Sequence, residues 1–79
     1  MEEITKERKL FPNLLAELAR VNISKTGLAR MTRISVTSIY AKFNGQVDWT
    51  LEDMDAIKSV LEKEEGQELS LDYLFRREL

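Results

Sequence analysis

"ISKTGLARMTRISVTSIYAKFNG", residues 23–45, holds two helix start signals and one Asn-Gly stop. Ser24 is a candidate N-cap for a short helix from Lys25 to about Met31, because a serine hydroxyl can take up a backbone N–H that the first helical turn leaves unpaired. Leu28, Ala29 and Met31 are its expected inward residues, and Gly27 weakens it by about 1 kcal/mol relative to alanine. Thr32, Arg33 and Ile34 form the expected turn. Ser35 then caps a second helix, Val36 to Phe43, which Asn44-Gly45 ends. Val36, Ile39, Tyr40 and Phe43 share one face of it by the i, i+3, i+4, i+7 rule. Thr37, Ser38, Ala41 and Lys42 are left on the other, so the expected outer surface is small, hydroxylated and cationic.

Outward from this pair, the chain continues in helical periods. Upstream, Leu10, Phe11, Leu14, Leu15, Leu18 and Val21 fall near helical spacing, and Pro12 stands where a first-turn proline costs no hydrogen bond. They predict a helix from about Pro12 to Val21, ended by Asn22 in the left-handed conformation, with Ile23 returning to the core. Downstream, Thr50 with Asp53 makes a capping box, and Trp49 with Met54 a hydrophobic staple. The helix they start continues through Ile57, Val60 and Leu61 and ends by Gly66. Ser70 caps a last short helix with Asp72 in its first turn and Leu71, Leu74 and Phe75 on its apolar face. The expected fold is all-α, a compact bundle of about five short helices in a single domain over residues 10–79. Residues 1–9 are either a loose arm or an extension of the first helix.

Composition narrows the chemistry. Seventy-nine residues, 43% hydrophobic and 33% charged, can close one modest core. The chain has no cysteine and no histidine, so disulfides, the usual zinc sites and imidazole acid–base catalysis are excluded together. No apolar run approaches the ~20 residues of a membrane span, and MEEITKERK lacks the apolar stretch of a signal peptide. The expected location is cytoplasmic. No nucleophile–base pair and no phosphate-binding glycine loop is present. Asp53 is explained as a cap, and Asp55, Glu62, Glu64 and Glu65 read as helix-surface charges. The expectation is a protein that is not an enzyme, with no metal, cofactor, small-molecule substrate or membrane partner.

Charge is distributed unevenly. The net value is −2, yet residues 1–47 carry eight cations against four acids, and residues 48–79 carry four cations against ten acids. Between Leu18 and Val47 there are five cations and no acid. A one-signed stretch of this kind is a plausible footprint for a polyanion.

Two short helices joined by a tight turn inside an all-helical domain make a helix-turn-helix arrangement. Residues 11–75 resemble the lambda-repressor-like, Cro/Xre type of helix-turn-helix protein of phages and bacteria. "ISKTGLARMTRIS" is similar to that family's second helix and turn, "SVTSIYAKFNG" to its recognition helix and stop, and "DWTLEDMDAI" followed by "LSLDYLF" to its last two helices. The resemblance implies a sequence-specific binder of double-stranded DNA, a small phage or prophage-type repressor that occupies its operator as a homodimer. It places Val36, Thr37 and Ala41 at the base-reading positions. Thr37 can exchange hydrogen bonds with a base edge, and Val36 and Ala41 can meet a thymine methyl; Val36 is equally well read as a core residue. Lys25 and Thr26, at the start of the helix that Ser24 caps, are expected on phosphate, with Ser38, Tyr40, Lys42, Asn44 and Gln46 as further backbone contacts. Tyr40 is either such a contact or a core side chain. Lys25 departs from the glutamine common in the family, and Arg33 stands where glycine is frequent. Leu71, Tyr73, Leu74, Phe75 and Leu79 are the candidate dimer interface, although Leu74 and Phe75 can equally seal the monomer core. The competing reading is a helical protein-interaction module, adaptor or antitoxin-like, that uses the acidic C-terminal half.

Overall fold

The computed structural model describes residues 10–78, and among these all regular structure is helical. Five helices follow in order: α1 (Pro12–Arg20), α2 (Lys25–Thr32), α3 (Val36–Phe43), α4 (Leu51–Glu65) and α5 (Leu71–Leu74). The chain is the expected all-α bundle of five short helices. Residues 1–9 and Leu79, for which an arm and an interface contact were expected, lie outside the described residues.

The start signals act as the sequence predicts. Ser24, Ser35 and Ser70 each accept, through the side-chain oxygen, the backbone N–H three residues on, at 2.9 to 3.1 Å. Thr50 and Asp53 close a full capping box at the head of α4. The stops differ in kind. Asn22 takes φ 58° after α1, and Gly66 takes φ 72° after α4. At the end of α3 the left-handed residue is Gly45, with φ 84°. Any side chain there would also collide with Leu10, since an added Cβ would stand 2.8 Å from Leu10 Cδ1.

Arg33 ends α2 with φ 64°, so a residue with a Cβ occupies the left-handed region at the turn between α2 and α3. That conformation costs an L-residue on the order of 1 kcal/mol. Arg33→Gly is therefore expected to raise the unfolding free energy by about 0.5–1 kcal/mol, part of the relief being offset by the greater freedom of glycine in the unfolded chain. A shifted urea midpoint at unchanged slope would show it, and an unchanged or lower midpoint would refute it.

Leu14, Leu28, Ile39, Ile57, Leu61 and Leu74 are fully buried, and every helix contributes at least one of them. Phe11, Phe43, Trp49 and Phe75 meet beside them, edge to face, with ring centroids 5.3 to 6.5 Å apart. This arrangement favours the ring quadrupoles. Two expectations are corrected. Met31 was expected inward but is 48% exposed, because the inner stripe of α2 runs through Lys25, Leu28, Ala29 and Thr32, and Met31 lies off it. Leu74 was open between core and dimer interface; it is fully buried and so belongs to the core of the single chain.

Polar contacts tie α5 back to α1. Asn13 Nδ2 donates to the Tyr73 carbonyl at 2.9 Å, and the Glu78 N–H donates to the Leu10 carbonyl at 2.9 Å. Glu17, 3% exposed in the middle of the apolar stripe of α1, accepts the Tyr73 hydroxyl at 2.7 Å and the Arg20 Nε at 3.2 Å. A hydrogen bond from Glu65 is the largest influence on the Glu17 carboxyl and lowers it; burial opposes this, while Tyr73 and Arg20 assist. The same bond, together with burial, pushes the Glu65 carboxyl up. The two carboxyls are thus pushed in opposite directions, Glu17 down and Glu65 up. Glu65 was read as a plain surface charge, and so was Glu62, which accepts the Leu69 N–H at 2.8 Å and pairs with Lys58 at 3.0 Å. Both acids instead hold the connection between α4 and α5.

Candidate nucleic-acid interface

The α2–α3 pair is joined by the three residues Arg33, Ile34 and Ser35. Leu28 and Ala29 from α2 and Ile39 and Phe43 from α3 bury themselves in the common core. Ile34, half-buried between the helices, donates its N–H to the Ala29 carbonyl at 3.2 Å. Both helices are thereby fixed from behind, and their outward faces are free to meet a partner.

On α3 the face that buries is turned relative to the expectation. Ile39 and Phe43 are its centre, as expected, but Val36 and Tyr40 are each 42% exposed while Lys42 is only 8% exposed. The outward surface therefore consists of Val36, Thr37 and Tyr40, with Ala41 half-buried at its edge. Val36, read from the sequence as either a base contact or a core residue, stands outside the core, and Thr37 is exposed. Ser38 is half-buried and its hydroxyl accepts from the Ser35 hydroxyl at 2.9 Å, so its first partner is the cap of its own helix. Thr26, Asn44 and Gln46 are exposed. Tyr40 is no core residue either: its exposed ring lies 5.2 Å from the Lys25 ammonium, which also stands 4.8 Å from the Phe43 ring centroid.

Lys42 is the clear departure. It was expected to reach a DNA phosphate, but its ammonium lies 2.8 Å from Asp53 Oδ2 and donates to the Asp48 carbonyl at 3.3 Å. The side chain runs inward and latches the last turn of α3 to the capping box of α4. Burial acts to raise the Asp53 carboxyl, but the Lys42 ammonium and the hydrogen bonds to Thr50 outweigh it and hold that carboxyl below its ordinary value. A lysine so engaged has no charge left to offer a phosphate.

The electrostatics of the pair follow from these pairings. Of the five cations in the acid-free stretch, Arg20 is paired with Glu17 and Lys42 with Asp53. Lys25, Arg30 and Arg33 have no ion-pair partner among the described residues. Arg30 was not among the expected contacts, yet it is exposed and shares a helix face with Thr26, four residues before it. That spacing was the signal that could have found it.

Along α5, Leu71 and Phe75 are half-buried and, with Met54, Asp72 and Arg76, line an open groove of about 520 Å³. Tyr73 is half-buried and its hydroxyl is committed to Glu17. Leu71 and Phe75 are thus the described interface candidates that keep surface for a second chain. Val47 and Leu51, 48% and 62% exposed, were not anticipated as apolar surface. Among the described residues no helix is long and apolar enough to cross a membrane, and no three acidic, histidine or cysteine side chains gather as a metal site. No family model, no curated protein and no solved structure matches the chain.

Proposed function

We propose that the chain is a sequence-specific, double-stranded DNA-binding transcriptional regulator of the lambda-repressor-like, Cro/Xre type, a small cytoplasmic repressor that occupies an operator as a homodimer. One observation carries this reading: Val36 and Thr37 stand exposed at the start of α3, with no acid between Leu18 and Val47 to repel a phosphate backbone. Small side chains let a helix approach the floor of the major groove, where hydroxyls and methyls read base edges. Lys25, Thr26, Arg30, Asn44 and Gln46 surround that helix start and end as positioning contacts. Helix-turn-helix dimers read half-sites about 34 Å apart, and the Leu71–Phe75 groove is the surface proposed for the second copy. No catalytic step and no cofactor enters this function.

The groove beside Leu71 and Phe75 favours a second reading, a protein-interaction module that docks a helix through its acidic half. The two are separated by one experiment, selection of bound duplexes from a random pool, repeated with Thr37→Ala. The expected result is a motif with two-fold symmetry whose base preference relaxes at one position per half-site in the variant, at a cost of about tenfold in affinity for the parent sequence. Emergence of no motif would sink the DNA reading, and an identical motif from both proteins would remove Thr37 from the base-reading positions.

A further inference from the structure

The half-buried Lys25, which has no ion-pair partner among the described residues, holds its ammonium in an unusual place. It stands 5.2 Å from the Tyr40 ring centroid and 4.8 Å from that of Phe43, so two aromatic side chains of α3 receive a cation from the first turn of α2. Phe43 is buried and part of the aromatic cluster, whereas Tyr40 is 42% exposed and stands outside the buried core. Core packing therefore does not account fully for an aromatic residue at position 40. Its hydroxyl has no hydrogen-bond partner among the described residues, and its ring receives the Lys25 ammonium.

We infer that Tyr40 is a positioning residue: its ring, backed by Phe43, fixes the Lys25 ammonium at the seam between α2 and α3, ready for a DNA phosphate. The inference rests on the DNA-binding reading and deepens it. A lysine head group is a mobile point charge on a four-carbon stem, and holding it against a ring before binding reduces the rotamer entropy that is lost when it meets phosphate. The ring face attracts the cation without neutralising it, which a carboxylate in the same place would do. Position 40 thus serves the affinity for DNA through the ring and needs no hydroxyl. This differs from both roles weighed for Tyr40 from the sequence, a hydroxyl on phosphate and a side chain in the core.

The test compares the parent chain, Tyr40→Phe, Tyr40→Leu, Lys25→Ala and the double variant Lys25→Ala/Tyr40→Leu on a duplex recovered by the selection above, with affinity measured against salt concentration. Tyr40→Phe is expected to bind like the parent. Tyr40→Leu should bind about three- to tenfold more weakly, and in the Lys25→Ala background it should add nothing. Lys25→Ala should also lower the salt slope by about one phosphate contact. In the free protein, ring currents should shift the Lys25 ε-methylene protons upfield, and Tyr40→Leu should reduce that shift to the part that Phe43 supplies. Equal losses in Tyr40→Phe and Tyr40→Leu would make the hydroxyl the contact, and additive losses in the double variant would separate Tyr40 from Lys25; either overturns the inference while the DNA-binding reading stands. If the parent binds no duplex, that reading itself fails. An unshifted Lys25 methylene overturns the inference without any DNA present.

Discussion

Lys42→Ala is expected to destabilise the protein by about 2–4 kcal/mol, the range for breaking a buried ion pair, reduced because one partner keeps some water. The Lys42 side chain is 9% exposed and that of Asp53 19%, with 2.8 Å between Nζ and Oδ2. Removing the ammonium strands the Asp53 carboxylate beside Thr50 and frees the Asp48 carbonyl. Lys42→Met keeps the packed stem and loses the charge, so the difference between the two variants measures packing. Asp53→Asn added to Lys42→Met should recover part of the loss, because it deletes the stranded charge while keeping an acceptor for the Thr50 N–H. The acid limb gives an independent check. Asp53 is depressed when folded, so its contribution is complete above the ordinary aspartate range and disappears as pH falls through the lowered folded value. The gap between parent and Lys42→Met should therefore narrow in acid. A gap that persists there, or a double variant no better than the single one, would mean that the pair is not what holds α3 to α4. Because Lys42 sits in the last turn of α3, the same variants should speed amide exchange from Phe43 to Gln46, exposing how firmly α3 is anchored.

What Lys42 does was hidden from the sequence by the ambiguity of a short helix. In eight residues with Val36, Ile39, Tyr40 and Phe43 as the apolar set, a rotation that keeps Ile39 and Phe43 inside can bring in either the Val36–Tyr40 side or the Ser38–Lys42 side. Hydropathy alone prefers the first. The protein takes the second because Asp53, already placed by the α4 capping box, offers a carboxylate where the Lys42 ammonium arrives. That partner lies in another helix, and no local pattern announces it. The local chemistry was readable for the opposite reason. Serine and threonine caps act on N–H groups three residues away, so Ser24, Ser35, Thr50 and Ser70 could be assigned without knowing the fold. Glu17 repeats the lesson of Lys42: a charged residue within the apolar stripe of α1 is buried because Tyr73 arrives from α5 with a donor. Thr37 and Val36 were legible as outward residues only in part, since the rotation that buries Lys42 is also what exposes Val36.

Tyr73→Phe should cost about 1.5–3 kcal/mol near neutral pH, the range for a hydrogen bond to a buried charged group, since it leaves Glu17 Oε2 without its 2.7 Å donor. The loss depends on Glu17 being ionised. Its carboxyl is lowered in the folded chain, so the stabilisation is present above the ordinary glutamate range and is lost as pH falls through the lowered folded value; the variant and the parent should converge in acid. Glu65 runs in the opposite sense. Its carboxyl is raised by Glu17, so its share of stability is complete below the ordinary glutamate range and is lost as pH rises through the raised folded value. The parent is therefore expected to be most stable between the two values. Glu65→Gln supplies an N–H that cannot be titrated away, and it should flatten the alkaline side of the profile while gaining nothing in acid. Melting temperatures across the acid-to-alkaline range for the parent and both variants decide the matter. A Tyr73→Phe penalty that is independent of pH would show that the hydroxyl only fills space, and a Glu65→Gln profile that still declines on the alkaline side would place the second titration elsewhere than on this pair.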